Sequence, residues 1–281
     1  MKNTSFLPTL AAFSALISVQ VGAAFAKTIF PLVGSDGVAA LRVGIAAVVL
    51  GATLRPWMLR VNKSGWANFL GYGGILGLMN VLIYRAFAYI PVGVAISIEV
   101  VGPLGLALIA SRRRLDLLWV ALALGGLALL PLGALAVPLD PRGIAFALAA
   151  AFCWALYVIV GRTVAQLDVR GVAAGMAFAS IVVVPLGIVE AGRALLSPQV
   201  LALGLAVAML SSIVPYLLDI YTLKHLPPSV FGVLMSASPA VSAVAGLLIL
   251  DETLGPGQWA GIVAITIACA GSALLSAHHP Q

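Results

Sequence analysis

Glu99 is the only carboxylate in the apolar stretch ISIEVVGPLGLALIASRRR, residues 96–114, which ends in three arginines. A charge at the centre of a bilayer costs at least about 2.5–3.5 kcal/mol, so such a residue has a partner, faces water, or carries a proton at some stage of a cycle. At 1.5 Å per helical residue it lies roughly 12 Å below Pro91, where its run begins, close to mid-bilayer. Other polar residues fall at comparable depth. They are Gln20, Asn80 and Tyr84 at i, i+4 spacing, Trp154 and Tyr157 one turn apart in FCWALY, Tyr216, and Ser236. Together they are expected to line a central cavity. Each has a plainer alternative. Gln20 and Asn80 also suit hydrogen bonds between helices, often worth less than ~1 kcal/mol, and Trp154 and Tyr157 suit ordinary packing. Glu99 would equally pair with Arg42, about 8 Å deep by the same rise per residue, or with Lys27 at the end of the first run.

The elements that must position these residues follow from composition. Of 281 residues, 62% are hydrophobic and only 9% charged, against about 25% charged in a typical soluble domain. The chain reads as an all-α polytopic membrane protein in contact with lipid. Its 15 Lys and Arg give a net charge of +6 but are scattered through short gaps, so no basic face suits nucleic acid. Cys153 and Cys269 stand alone in apolar runs, and His225, His278 and His279 lie at a loop edge and in the tail. Neither a metal site nor a disulfide is expected. There is no GxxxxGK[ST] or HExxH pattern, so neither an ATP-driven pump, an intramembrane protease nor any other enzyme is indicated, and no cofactor is expected.

Gaps rich in charge, Pro and Gly divide the chain into ten spanning runs, near 8–26, 37–54, 66–84, 91–111, 116–134, 143–161, 171–189, 199–220, 228–250 and 258–276. The first imitates a secretory leader ending in AFA at 24–26, but it carries the same pattern as the rest and is expected to remain. With the N terminus inside, one side holds ten Lys and Arg (Lys2, Arg55, Arg60, Lys63, Arg112, Arg113, Arg114, Arg162, Arg170, Lys224). The other holds four (Lys27, Arg85, Arg142, Arg193), with Arg42 inside the second run. Both termini are therefore expected in the cytoplasm.

AYIPVGVAISIEVVGP (88–103) and KHLPPSVFGVLMSASP (224–239) align without a gap at an offset of 136, each with prolines twelve residues apart. Five helices per half is an odd number, so equivalent helices run in opposite directions. This predicts an inverted 5+5 repeat, 1–136 and 137–281, an architecture of many secondary transporters. The counterpart of Glu99 is Met235. Pro103, Pro185, Pro215 and Pro239 fall within helices and permit kinks. Gly73 with Gly77, and Gly171 with Gly175, form small faces for close helix packing.

The chain resembles the ten-helix drug/metabolite exporters of the EamA family, and within them the bacterial threonine/homoserine exporters. The residues are GAAFAKTIFPLVG, VAALR, RPW at 55–57, LMN at 78–80, IEVVGPL, SRR, CWALY at 153–157, FGVLMSASPAVSAVAG and ILDETLGPGQWAG. The resemblance implies an inner-membrane secondary exporter of amino acids or related metabolites, driven by the proton gradient. Glu99 falls on the glutamate of the family's "E..GPL" pattern, and Asn80 and Trp154 also match. Where such exporters often carry a glutamate before the helix 9 proline, this chain has Ser238. Glu99 is then expected to hold a substrate ammonium or a proton, Gln20, Asn80 and Tyr84 to add hydrogen bonds, and Arg42 or Lys27 to meet the carboxylate. Trp154, Tyr157 and Tyr216 would also suit aromatic amino acids, drugs or nucleosides as cargo. A scaffold without transport would gain little from polar residues at that depth.

Overall fold

A computed structural model describes residues 6–59, 61–110, 114–132, 138–165, 170–226 and 228–277. Lys2, Arg60, Arg112, Arg113, His278 and His279 lie outside the described residues. All regular elements among the described residues are helical: α1 (Phe6–Thr28), α2 (Phe30–Leu54), α3 (Lys63–Tyr89), α4 (Val92–Glu99), α5 (Val101–Ala110), α6 (Arg114–Leu132), α7 (Pro141–Ala165), α8 (Arg170–Ala191), α9 (Pro198–Ala208), α10 (Val214–His225), α11 (Pro228–Met235), α12 (Ser238–Leu250) and α13 (Pro256–Ala277). Eight helical stretches are long and apolar enough to cross a membrane, and Val92–Leu106 and Leu117–Leu132 are shorter apolar helices. These ten correspond to the ten runs. The apolar surface fits this reading, since Val48 is 72% exposed and Val189 86%, a placement that water disfavours and lipid does not.

Three of the expected proline kinks are breaks or distortions one turn upstream. A proline has no N–H to give the carbonyl four residues before it, which frees the carbonyls of Glu99 (before Pro103), Ser211 (before Pro215) and Met235 (before Pro239). The chain responds at each. The run 91–111 divides into α4 and α5 at Val100, and 228–250 divides into α11 and α12 after Met235. Between α9 and α10, Met209–Ile213 widens into a π-helical turn. Pro185 stays within α8. The ends of α4 and α11, Glu99 and Met235, stand at the offset of 136 that aligns the two halves.

Small residues let the helices approach. Gly73 and Gly77 of α3 meet the backbone of Gly175 and Ala179 in α8 so closely that a Cβ at Gly73 would collide, the expected use of such faces. Early in α2, Gly34 breaks the helix at φ 70°, a conformation glycine adopts at little cost. The exposed N–H groups of Asp36 and Gly37 beyond that break are accepted by Glu190 Oε2 at 2.6 and 3.1 Å. Around the centre, α2 packs along α8, α3 lies between α7 and α8, α1 packs on α10 and α12, and α4 is inserted against α7 and α12.

Candidate functional site

The break at Val100 leaves Glu99 as the last residue of α4, 6% exposed. Its side chain lines a cavity of about 150 Å³ among α1, α2, α3, α4, α7 and the start of α12. Gln20, Arg42, Asn80, Tyr84 and Trp154 line the same cavity, with Ser238 and the apolar walls Met79, Ile83, Phe87 and Ile96. Six of the expected site residues thus meet in one space. Among the described residues no side chain hydrogen-bonds to Glu99, and no cation lies within 4.0 Å of it.

Neither Arg42 nor Lys27 is within salt-bridge distance of Glu99 among the described residues. Arg42 spends its guanidinium elsewhere: Nε donates to Ser212 Oγ at 3.0 Å, Nη1 to Tyr84 Oη at 3.2 Å and Nη2 to the Ser211 carbonyl at 3.1 Å. That last oxygen is the one Pro215 releases. A guanidinium has five N–H groups, so two have no acceptor among the described residues. Lys27 is also occupied away from Glu99, with Nζ 2.7 Å from Glu252 Oε1 and 3.2 Å from the Ile90 carbonyl. Glu252 Oε2 in turn accepts the Val92 N–H at 2.9 Å, so this pair fastens α1 to the start of α4 at the Pro91 end of the bundle.

The neutral groups are arranged as acceptors. Asn80 Nδ2 donates to the Leu76 carbonyl at 2.8 Å, leaving its oxygen without a protein donor among the described residues. Gln20 Oε1 is buried without a hydrogen-bond partner. Ser238 Oγ donates to the Met235 carbonyl at 2.6 Å, the oxygen Pro239 releases. At this edge of the cavity the chain thus places a hydroxyl engaged with its own backbone.

Three expected residues lie elsewhere. Ser236 lines a second, mainly apolar cavity of about 230 Å³ with Pro103, Met235 and Cys269; Trp154 is the wall common to both cavities. Tyr157 and Tyr216 do not line the Glu99 cavity. Tyr157 accepts a 2.6 Å hydrogen bond from the Tyr72 hydroxyl, and the two rings stack with centroids 4.8 Å apart. Sequence reasoning also passed over Asp219, whose Oδ1 is buried without a hydrogen-bond partner. The signal was a carboxylate one residue inside the expected end at 220, where sequence alone gives it an aqueous neighbourhood. Asp36 was equally silent: it joins Arg85 in a fork, with Nε 2.9 Å from Oδ1.

Residues 141–274 match the EamA-like transporter family. The threonine/homoserine exporter RhtA of Salmonella typhimurium (strain LT2) is 45% identical over 278 residues, 98% of this chain and 94% of the relative. RhtA of Escherichia coli (strain K12) is 44% identical over 275 residues, 97% and 93% of the two chains. A protein of known crystal structure superposes with a TM-score of 0.60 at 22% identity, covering 98% of both chains, a likeness of fold.

Proposed function

From the fact that the chain belongs to the EamA-like transporter family, and so is a membrane transporter rather than an enzyme, we propose that it exports small amino acids, threonine and homoserine first, across a bacterial inner membrane. The observation that carries this reading is one small cavity lined by a carboxylate, Glu99, with no partner among the described residues, and an arginine, Arg42, with two N–H groups that have no acceptor among them. An amino acid is a zwitterion and needs both: Glu99 takes the ammonium and Arg42 the carboxylate, while Asn80 and Gln20 offer oxygens to the remaining ammonium protons or a side-chain hydroxyl. Size points the same way. About 150 Å³ is half the lower end of the ~300–1,000 Å³ range that accepts drug-sized ligands, and Tyr157 and Tyr216 do not line the cavity. This disfavours aromatic amino acids, drugs and nucleosides as cargo.

Glu99 alternates between substrate and proton, so the inward proton gradient drives export. Both termini face the cytoplasm by the Lys and Arg distribution, which makes the Pro91 end, with the Lys27 and Glu252 pair, the outer one. The halves 1–136 and 137–281 act as the inverted repeats of an alternating-access cycle.

The test is transport by purified protein in proteoliposomes, with labelled threonine, homoserine, tryptophan and a nucleoside. The reading expects threonine and homoserine to move, faster under an imposed pH gradient, and the other two to stay. Movement of tryptophan without threonine would replace the cargo, and movement of none would leave a scaffold.

A further inference from the structure

The second cavity, of about 230 Å³, adjoins the Glu99 cavity at three points. At the end of α4, Glu99 lines the first cavity and the next residue, Val100, lines the second. Between α11 and α12, Met235 and Ser236 line the second and Ser238 lines the first. From α7, Trp154 is a wall of both. Among the described residues no hydrogen bond or aromatic contact holds the Trp154 indole. The offset of 136 relates Val100 to Ser236 and Glu99 to Met235, so the second cavity carries a thioether at the position where the first carries a carboxylate. Ser236 and Ser272 are its hydroxyls among the described residues, and Ser236 Oγ donates to the Val233 carbonyl at 2.5 Å. The rest of its lining is mainly apolar.

A space of this size costs stability when empty, because its lining forfeits packing contacts. Water fills it poorly, since each molecule needs about two to four polar partners. It suits the apolar part of a ligand whose polar part is held next door, where Glu99 and Arg42 line the first cavity. We propose that the second cavity is the side-chain half of one transport site, so that the protein also carries amino acids with long unbranched aliphatic or thioether side chains, such as methionine. The ammonium and carboxylate stay at Glu99 and Arg42, and the side chain lies past Trp154 against Leu104, Met235 and Ala273. Burying its methylenes and sulfur there is favourable, and the sulfur atoms of Met235 and Cys269 are soft, adaptable neighbours. An unbranched chain turns about its own bonds to pass the edge of the Trp154 indole. A second indole would have to displace it as a rigid body, which keeps tryptophan out. The subsite rests on the reading of the chain as an amino-acid exporter and widens the class of its cargo.

The experiment is exchange in proteoliposomes loaded with unlabelled threonine, with labelled threonine or labelled methionine outside and norleucine or 2-aminobutyrate as competitor. The parent protein is expected to exchange both labels, with norleucine competing against each. Ala273→Leu fills the second cavity from α13, a helix that contributes nothing to the lining of the first. It is expected to raise the methionine KM and the norleucine Ki about tenfold, the equivalent of about two methylenes no longer buried. The threonine KM and the 2-aminobutyrate Ki should stay within about twofold. Gly232→Ala is a milder filling, since a Cβ there meets the Ala273 Cβ at 3.5 Å, an ordinary contact. It is expected to raise the methionine KM several-fold, a readout that survives if Ala273→Leu does not fold. A parent that exchanges threonine but not methionine overturns the subsite and leaves the exporter reading in place. So does methionine that inhibits without being exchanged, the behaviour of a trapped apolar ligand. Variants that leave the methionine KM at the parental value overturn it as well, as do variants that raise both KM values alike, which filling a shared entry route would produce. A parent that exchanges neither label removes the exporter reading and the subsite together.

Discussion

At the scale of single residues, the decisive contrast is between two ionisable side chains that line one cavity but are differently employed. Arg42 is held in place by Ser212, Tyr84 and the Ser211 carbonyl, whereas Glu99 has no protein partner among the described residues. A positioned cation beside an unpaired anion resembles a site awaiting a zwitterion more than a structural ion pair, which would satisfy both within the protein. Lysine has the same charge as arginine but not the planar fork that holds three directions at once. Arg42→Lys is therefore expected to raise the threonine KM about tenfold, a typical loss for one charge-assisted hydrogen bond, with a smaller change in Tm. Saturation kinetics in proteoliposomes and a thermal melt in detergent measure the two. The place of Glu99 on a central cavity was legible in the sequence because nothing nearby competes with a carboxylate in an apolar run. The occupation of Arg42 and Lys27 was not, because their partners Ser211, Ser212 and Glu252 are 169, 170 and 225 residues away in the chain.

At the scale of elements, the prolines matter more as sources of free carbonyls than as bends. Each of Pro103, Pro215 and Pro239 frees a backbone carbonyl from its helix, and side chains from Arg42 and Ser238 supply donors for two of the three. Helical runs were readable because apolar length between charged gaps is a strong signal. Where a run breaks was readable only to within a turn, since a proline marks the lost bond and not the residue at which the chain relaxes. The position of Tyr157 shows the other limit. Residues one turn apart share a face, so Trp154 and Tyr157 looked equivalent, but one turn is about 5.4 Å, enough to put one on the cavity wall and the other against Tyr72. Restoring an amide at the α10 break tests this view. Pro215→Ala supplies an N–H that competes with Arg42 for the Ser211 carbonyl, so the threonine KM should rise several-fold while the protein remains folded, as size-exclusion chromatography would report.

At the scale of the whole molecule, apolar residues face outward, small residues bring the helices together, and polar groups meet in the Glu99 cavity. The Pro91 end is tied by Lys27 of α1 to Glu252 in the α12–α13 loop and by Arg85 of α3 to Asp36 of α2, which suits an end that must open and close. If the Lys63 end is cytoplasmic, a cysteine at Ser64 should react with an impermeant thiol reagent only from the inside, and one at Asp140 only from the outside; Cys153 and Cys269 are buried. Labelling of right-side-out and inverted vesicles checks this. The central claim, that Glu99 is where cargo and proton are exchanged, has a more direct test. Glu99→Gln keeps the shape of the side chain and removes its charge. Proteoliposomes carrying this variant are predicted to lose pH-driven threonine transport and to lose exchange as well. Threonine transport equal to the parent's at every pH would contradict the account.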